Sequence, residues 1–87
     1  MSQPNPAQLI HAAAVAVLEA RGLPASFEEV GRLVGVKHGS SWNRSCRGQH
    51  KSTTASVAAW LAAWRMHGYG EIELVVSHDG WRLGGES

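Results

Sequence analysis

The chain has 87 residues, 44% of them hydrophobic and 17% charged, and its formal net charge at pH 7 is +1. This length allows one domain, and the composition is that of a globular rather than a disordered chain. The single cysteine, Cys46, excludes an intrachain disulfide and a four-thiolate zinc ribbon, and it indicates a reducing compartment, by default the cytoplasm. The uncharged residues 1–18 are too polar for a membrane span and lack the basic start of a signal peptide.

The first helix is predicted by its two ends. Asn5 is suited to cap free backbone N–H groups, and Pro6 is tolerated at the first helical position. The helix is expected to run to about Arg21, where Gly22 supplies a left-handed stop. Apolar residues at helical spacing form its inward stripe: Leu9, Ile10, Ala13, Val17 and Leu18.

The second helix begins at a capping box. In this motif the Ser26 hydroxyl accepts from the Glu29 N–H, and the Glu29 carboxylate reaches back to the Ser26 N–H. The helix is expected to run to about Val34 and to end at Gly35. Its apolar residues are predicted to face inward: Phe27, Val30, Leu33 and Val34.

The next segment, residues 36–51, has no clear hydrophobic period. Trp42 is its one large apolar residue, and it predicts a single helical turn near residues 40–46. Two interpretations of Trp42 are open: an exposed ring that stacks on a base or anchors a partner, or a hydrophobic plug under the segment. Cys46 lies among basic residues, which would lower the pKa of its thiol.

A third helix is predicted over about residues 52–67, capped by Ser52 or Thr53. Its inward stripe follows helical spacing: Val57, Trp60, Leu61 and Trp64. Its opposite face is small or polar: Thr54, Ala55, Ala58, Ala59, Ala62 and Arg65. The glycines at positions 68 and 70 end the helix.

A β-hairpin is predicted at the end of the chain. Residues 71–76 alternate at period two, with Ile72, Leu74 and Val76 on one face, and residues 81–83 form the returning strand. Asp79 followed by Gly80 is a hairpin signal, because a type I′ turn needs positive φ at both central positions.

Charge is distributed unevenly along the chain. Residues 30–70 contain six basic residues and no acidic residue, whereas acids exceed bases in the segments on either side. The six are Arg32, Lys37, Arg44, Arg47, Lys51 and Arg65. A segregated basic segment is typical of a phosphate-binding surface.

Three capped helices followed by a hairpin resemble the winged-helix domain, over about residues 6–84. The resemblance implies one α+β domain, with a helix-turn-helix core of three or four helices and a C-terminal β-hairpin wing. Residues 1–5 and 85–87 are then polar tails. In that family the third helix enters the DNA major groove and the wing touches the backbone. The resemblance therefore predicts a small bacterial or phage DNA-binding regulator.

Carried over to this chain, the reading end would be Ser52, Thr53 and Thr54, with phosphates bound by Lys37, Arg44, Arg47 and Lys51. Two features depart from the usual pattern. About 17 residues separate the second and third helices, and the outer face of the third is mostly alanine, which donates nothing to a base edge. The acids Glu71, Glu73 and Asp79 would repel phosphate, so the hairpin is expected to be structural.

A second register treats residues 27–44 as a compact helix-turn-helix, with Gly31 at the small-residue position and Gly35 in the turn. Its reading helix would span about residues 40–47. That helix offers side chains suited to bases and phosphates: Trp42, Asn43, Arg44 and Arg47. Ser41 stands where the pattern expects a second apolar residue.

The long basic connection, with Gly48 before Ser52, also resembles the LOTUS (OST-HTH) subgroup of winged helices. Domains of that subgroup bind RNA, including guanine-rich RNA, or protein partners. Gln49 stands where the subgroup has an aromatic residue. RNA is therefore the second expected ligand, after duplex DNA.

A third function is that of a protein-interaction adaptor, such as a phage-encoded inhibitor. It would bind a partner or a second copy through the face of Ala58, Ala59 and Ala62. His38, Cys46 and His50 lack the spacing of a metal site, and no phosphate loop or catalytic pair is evident, so we expect no enzyme activity, cofactor or membrane association. The candidate nucleic-acid-binding residues are Lys37, His38, Trp42, Asn43, Arg44, Arg47, His50, Lys51, Ser52, Thr53 and Thr54.

Overall fold

The computed structural model describes residues 5–49, 52–77 and 80–84. Within these residues the chain forms four helices followed by a two-stranded antiparallel sheet, which confirms the predicted α+β fold in its four-helix form. The elements are α1 Pro6–Ala20, α2 Phe27–Leu33, α3 Gly39–Cys46, α4 Thr54–Met66, β1 Leu74–Ser77 and β2 Gly80–Leu83. Helix α3 occupies the segment in which one interpretation expected a single turn and the second register expected a helix over about residues 40–47.

Asn5 begins α1 as predicted and also holds the end of α3. Its Oδ1 accepts from the Gln8 N–H at 2.9 Å, and Pro6 occupies the first helical position. Its Nδ2 donates to the Cys46 carbonyl, also at 2.9 Å. The cap of one helix therefore satisfies a carbonyl that the end of another helix leaves free.

Helix α2 leads through a tight turn into α3. The Ser26 hydroxyl accepts from the Glu29 N–H at 3.2 Å, as predicted, while the Glu29 carboxylate accepts from Arg32 at 2.6 Å. After Leu33 the chain reverses at Gly35, whose φ is +87°, and the Val36 N–H donates to the Gly31 carbonyl at 2.8 Å. This is the Schellman ending, in which glycine adopts the left-handed conformation without steric cost.

Helices α2 and α3 approach each other closely at two glycines. A Cβ added to Gly31 would lie 3.0 Å from the Trp42 Cβ, and one added to Gly39 would lie 2.6 Å from the Glu28 Cα. The second contact is against backbone, which has no flexible end to move aside. The compact helix-turn-helix predicted for residues 27–44 is therefore formed, with Gly31 at the close contact.

Trp42 is fully buried between the helices. Its Nε1–H donates to His11 Nδ1 of α1 at 3.0 Å, and its ring meets Trp60 of α4 edge-on, with centroids 5.1 Å apart. The interpretation of Trp42 as a hydrophobic plug is confirmed, and the interpretation as an exposed ring is wrong. A neutral histidine supplies the acceptor that a buried indole N–H requires.

The core draws on every helix and on the segment before the hairpin. Its buried residues are Ala7, Ile10, Ala14, Leu18, Val30, Leu33, Val34, Trp42, Cys46, Val57, Trp64 and Ile72. No charged or polar residue is buried among the described residues. Large aromatic and branched side chains dominate this small core, as expected for a domain with little interior volume.

Helix α4 matches its predicted pattern. Thr53 caps it, with Oγ1 accepting from the Ser56 N–H at 3.1 Å. Val57 and Trp64 are buried, and Trp60 and Leu61 are half-buried against the core. The predicted outer face is exposed: Thr54, Ala55, Ala58, Ala59, Ala62 and Arg65.

The hairpin is shorter than the alternating pattern implied. Ile72 is buried ahead of β1 rather than within it, and Leu74 pairs with Leu83. Gly80 pairs with Ser77 and therefore lies inside β2, so its predicted place at the centre of the turn is wrong. Asp79, the other predicted turn residue, lies outside the described residues.

Candidate nucleic-acid interface

The outer face of α3 is polar and basic. Successive helical residues are rotated by about 100°, so Ser40, Arg44 and Arg47 lie on the side opposite Trp42 and Cys46. All three outer residues are exposed, and the two inner ones are buried. Burial of one face thus presents both arginines to solvent on the other.

Folding neutralises part of the basic segment. Arg32 lies 2.6 Å from Glu29, and this hydrogen bond raises the pKa of the guanidinium. Arg65 lies 2.7 Å from Glu71, which belongs to the segment leading into the hairpin. Two of the six cations that form an acid-free run in the sequence therefore meet acids in space.

The other described cations of the acid-free run lie around α3. Lys37, Arg44 and Arg47 are exposed and form no ion pair with any residue in the described part of the chain. Lys37 lies in the turn before the helix, and Arg47 is its C-terminal cap. We call these three residues the α3 basic segment.

An open groove of about 510 Å³ lies between the beginnings of α2 and α3. We call it the α2–α3 groove. Its lining includes Phe27, Glu28, Lys37, His38, Ser40 and Asn43. The groove combines a carboxylate, an ammonium group, an amide, a hydroxyl and an aromatic ring.

Phe27 lies on the groove wall and not in the core. It is 39% exposed, so the prediction that it faces inward is wrong. It occupies the first helical position of α2, and its ring stacks on His11 of α1 with centroids 4.1 Å apart and planes only 4° apart. The spacing of apolar residues in α2 did not predict that Phe27 lies on the groove wall, because His11, which positions the ring, is on another helix.

His11 joins the groove wall to the anchor of α3. Phe27 stacks on its ring, and its Nδ1 accepts from Trp42. Burial lowers the pKa of His11 below its ordinary value of 6.5. The neutral ring then bears its proton on Nε2, which leaves Nδ1 free to accept. No local signal in the sequence indicated this role.

Cys46 is a structural residue. It is buried, its Sγ lies 3.6 Å from the Ala7 carbonyl, and burial raises the pKa of its thiol to about 12. The expectation that basic neighbours lower this pKa is wrong, because the thiol faces the core and the arginines face solvent. Among the described residues, no three His, Cys, Asp or Glu side chains cluster as metal ligands would.

The other candidate residues divide between two helices. His38 is exposed at the start of α3, and Asn43 is half-buried in the groove. Ser52, Thr53 and Thr54 lie at the start of α4, where the Thr53 hydroxyl is occupied in capping. His50 and Lys51 lie outside the described residues. Trp42, being fully buried, has no surface to offer a ligand and leaves the candidate set.

Comparison with family models, with curated proteins and with solved structures gives no significant match to this chain. In the parts of the chain that the structure describes, no helix has both the length and the apolar character needed to cross a bilayer.

Proposed function

We propose that this protein is a non-catalytic nucleic-acid-binding domain that contacts phosphates through the α3 basic segment. The observation that carries the proposal is the selective pairing of charge. Arg32 and Arg65 form ion pairs with acids, whereas Lys37, Arg44 and Arg47, on and beside one helix, are exposed and form no ion pair with any described residue. Phosphate contacts of this kind supply most of the affinity of proteins for nucleic acid.

Helix α3 suits this role better than α4. Its exposed side offers arginine, serine and asparagine groups, which donate hydrogen bonds to phosphates and base edges. The outer face of α4 is formed largely by Ala55, Ala58, Ala59 and Ala62, which donate none. The proposal therefore assigns base recognition to α3, the second helix of the compact helix-turn-helix.

The hairpin is a supporting element in this proposal. Leu74, Trp81 and Leu83 pack against the core, and Glu71 and Glu73 are exposed beside them. Glu71 is paired with Arg65, so the charge that repels phosphate here is that of Glu73. Arg82 is the one basic residue of the described hairpin. The two acids, Glu71 and Glu73, lie in the segment just before β1.

Duplex DNA is the first ligand we propose and RNA the second, with a regulatory role in the cytoplasm. The test is binding of the whole chain to a labelled DNA duplex over a salt series. The logarithm of the binding constant should fall linearly with the logarithm of the salt concentration, with a slope of about −0.9 per phosphate contact. Three contacts therefore predict a slope near −2.7. A single-stranded RNA of equal length, measured in parallel, ranks the two ligands. Absence of binding at low salt, or a flat salt response, would overturn the proposal.

A second candidate function is protein binding through the outer face of α4. The observation that favours it is an exposed apolar surface made of Ala58, Ala59, Ala62 and Met66, the last 86% exposed. Small residues allow another helix to approach closely. Light scattering after size exclusion should then show a dimer that Ala59→Arg dissociates. A monomer at every concentration tested would count against a second copy on this face.

A further inference from the structure

The α2–α3 groove shares Lys37 with the α3 basic segment but also contains a carboxylate. Glu28 and Lys37 both line it, so a negative and a positive group lie at the same opening. A phosphate would be attracted by one and repelled by the other. A neutral ligand with hydrogen-bonding edges suits such a lining, since carboxylate and amide oxygens accept N–H groups while the ammonium and amide N–H groups donate.

Phe27 provides a surface for stacking. His11 stacks parallel to its ring, and Phe27, 39% exposed, is part of the groove lining. His11 is itself held by the hydrogen bond from Trp42, so the stack is anchored in the core. A flat ring entering the groove would extend this stack by one member. The groove volume of about 510 Å³ falls within the roughly 300–1,000 Å³ of ligand sites.

We propose that the α2–α3 groove binds an unpaired nucleobase, stacked on Phe27 and hydrogen-bonded by Asn43, Ser40 and Glu28. The proposal rests on the proposed function, because the α3 basic segment holds the phosphates that flank this base. A base inside a duplex has both faces stacked and its Watson–Crick edge paired. Only a single-stranded or extruded base can therefore enter the groove.

The experiment compares two labelled single strands of about ten nucleotides, within the usual site size of single-strand binders. One strand carries bases and the other is abasic at every position, so the two have the same phosphates. We expect the whole chain to bind the base-containing strand about tenfold more tightly, within the range measured for stacking of one base on an aromatic ring. Phe27→Leu should bring this ratio close to one and leave binding of the abasic strand unchanged.

Two further variants separate stacking from charge and from folding. Arg47→Gln should weaken binding of both strands equally and preserve their ratio, because Arg47 lies outside the groove lining. Phe27→Trp retains an aromatic surface, so it should retain the preference for the base-containing strand. Thermal unfolding of each variant checks that it is folded.

Equal binding of both strands by the wild-type chain would overturn the base-binding proposal and leave phosphate binding intact, as would an unchanged ratio in folded Phe27→Leu. If the wild-type chain bound neither strand nor a duplex, the proposed function would fail as well.

Discussion

Helix α3 and helix α4 differ in what anchors them and in what they present to solvent. Helix α4 has 13 residues, a regular apolar stripe and an alanine face whose one arginine is paired with Glu71. Helix α3 has eight residues, of which only Trp42 and Cys46 are buried, and an outer face whose arginines form no ion pair within the described part of the chain. Each helix buries two residues in the core, and the shorter of the two presents the candidate site.

The difference has a physical cause. A helix of eight residues is not stable alone, because nucleation costs more than so few hydrogen bonds return. Helix α3 is held by tertiary contacts: the Trp42 hydrogen bond to His11, the close approach at Gly31 and Gly39, and the bond from Asn5 to Cys46. Its outer residues are therefore free of any packing role, and charge can be concentrated there.

The largest effect is expected from Trp42→Ala, which removes the anchor of α3. Loss of a fully buried tryptophan should lower the free energy of unfolding by about 3–5 kcal/mol, a large part of the stability of a small domain. Met66→Ala, on the exposed side of α4, should change it by no more than about 0.5 kcal/mol. Urea unfolding followed by circular dichroism measures both. Similar values for the two variants would mean that α3 is not held by its tryptophan.

A smaller loss is expected from Gly39→Ala, which tests the close approach of α2 and α3. The added methyl would overlap the Glu28 backbone, and overpacking of this kind costs about 1–3 kcal/mol. Ser40→Ala places the same methyl one residue later, on an exposed position, and serves as the matched control. Equal stability of the two variants by thermal unfolding would contradict the packing described for this turn.

The smallest effect on stability is expected from pH, through His11. Burial lowers the pKa of its imidazole below 6.5, so in the window just below pH 6.5 the unfolded chain binds more protons than the folded one. Stability is therefore complete above pH 6.5 and falls as the pH falls toward the folded-state pKa. His11→Gln keeps an acceptor for the Trp42 N–H and removes the titration, so it should flatten this dependence. Urea midpoints of the wild-type chain and of this variant between about pH 5 and pH 7 measure the effect, and an unchanged pH dependence in the variant would contradict it.

The parts of the fold that local chemistry determines could be predicted from the sequence. The caps Asn5, Ser26 and Thr53 satisfy N–H groups three residues away, and each was identified from neighbouring residues alone. The stripe of α4 was predictable for the same reason, because its spacing repeats over three turns.

Contacts between residues far apart in the chain could not be predicted from the sequence. Trp42 and His11 lie 31 positions apart, and Asn5 and Cys46 lie 41 apart, so the second register predicted a helix near residues 40–47 but no local pattern revealed the contacts that hold it. Phe27 was placed in the core by period, although its partner on α1 draws it to the groove. The acid-free segment indicated the basic surface but not the pairing of Arg32 and Arg65, of which the second depends on folding of the hairpin segment.

The most direct test of the central claim compares two double variants that remove equal charge. Arg44→Gln with Arg47→Gln alters α3, and Arg65→Gln with Arg82→Gln alters α4 and the hairpin. Binding to one DNA duplex over a salt series should weaken at least about tenfold at low salt for the first pair, with the slope reduced by about 1.8 as two phosphate contacts are lost. The second pair should retain the wild-type slope and bind within about threefold of wild type. If the Arg65/Arg82 variant lost salt dependence and the Arg44/Arg47 variant bound like wild type, the account would be contradicted. The interface would then lie on α4 and the hairpin.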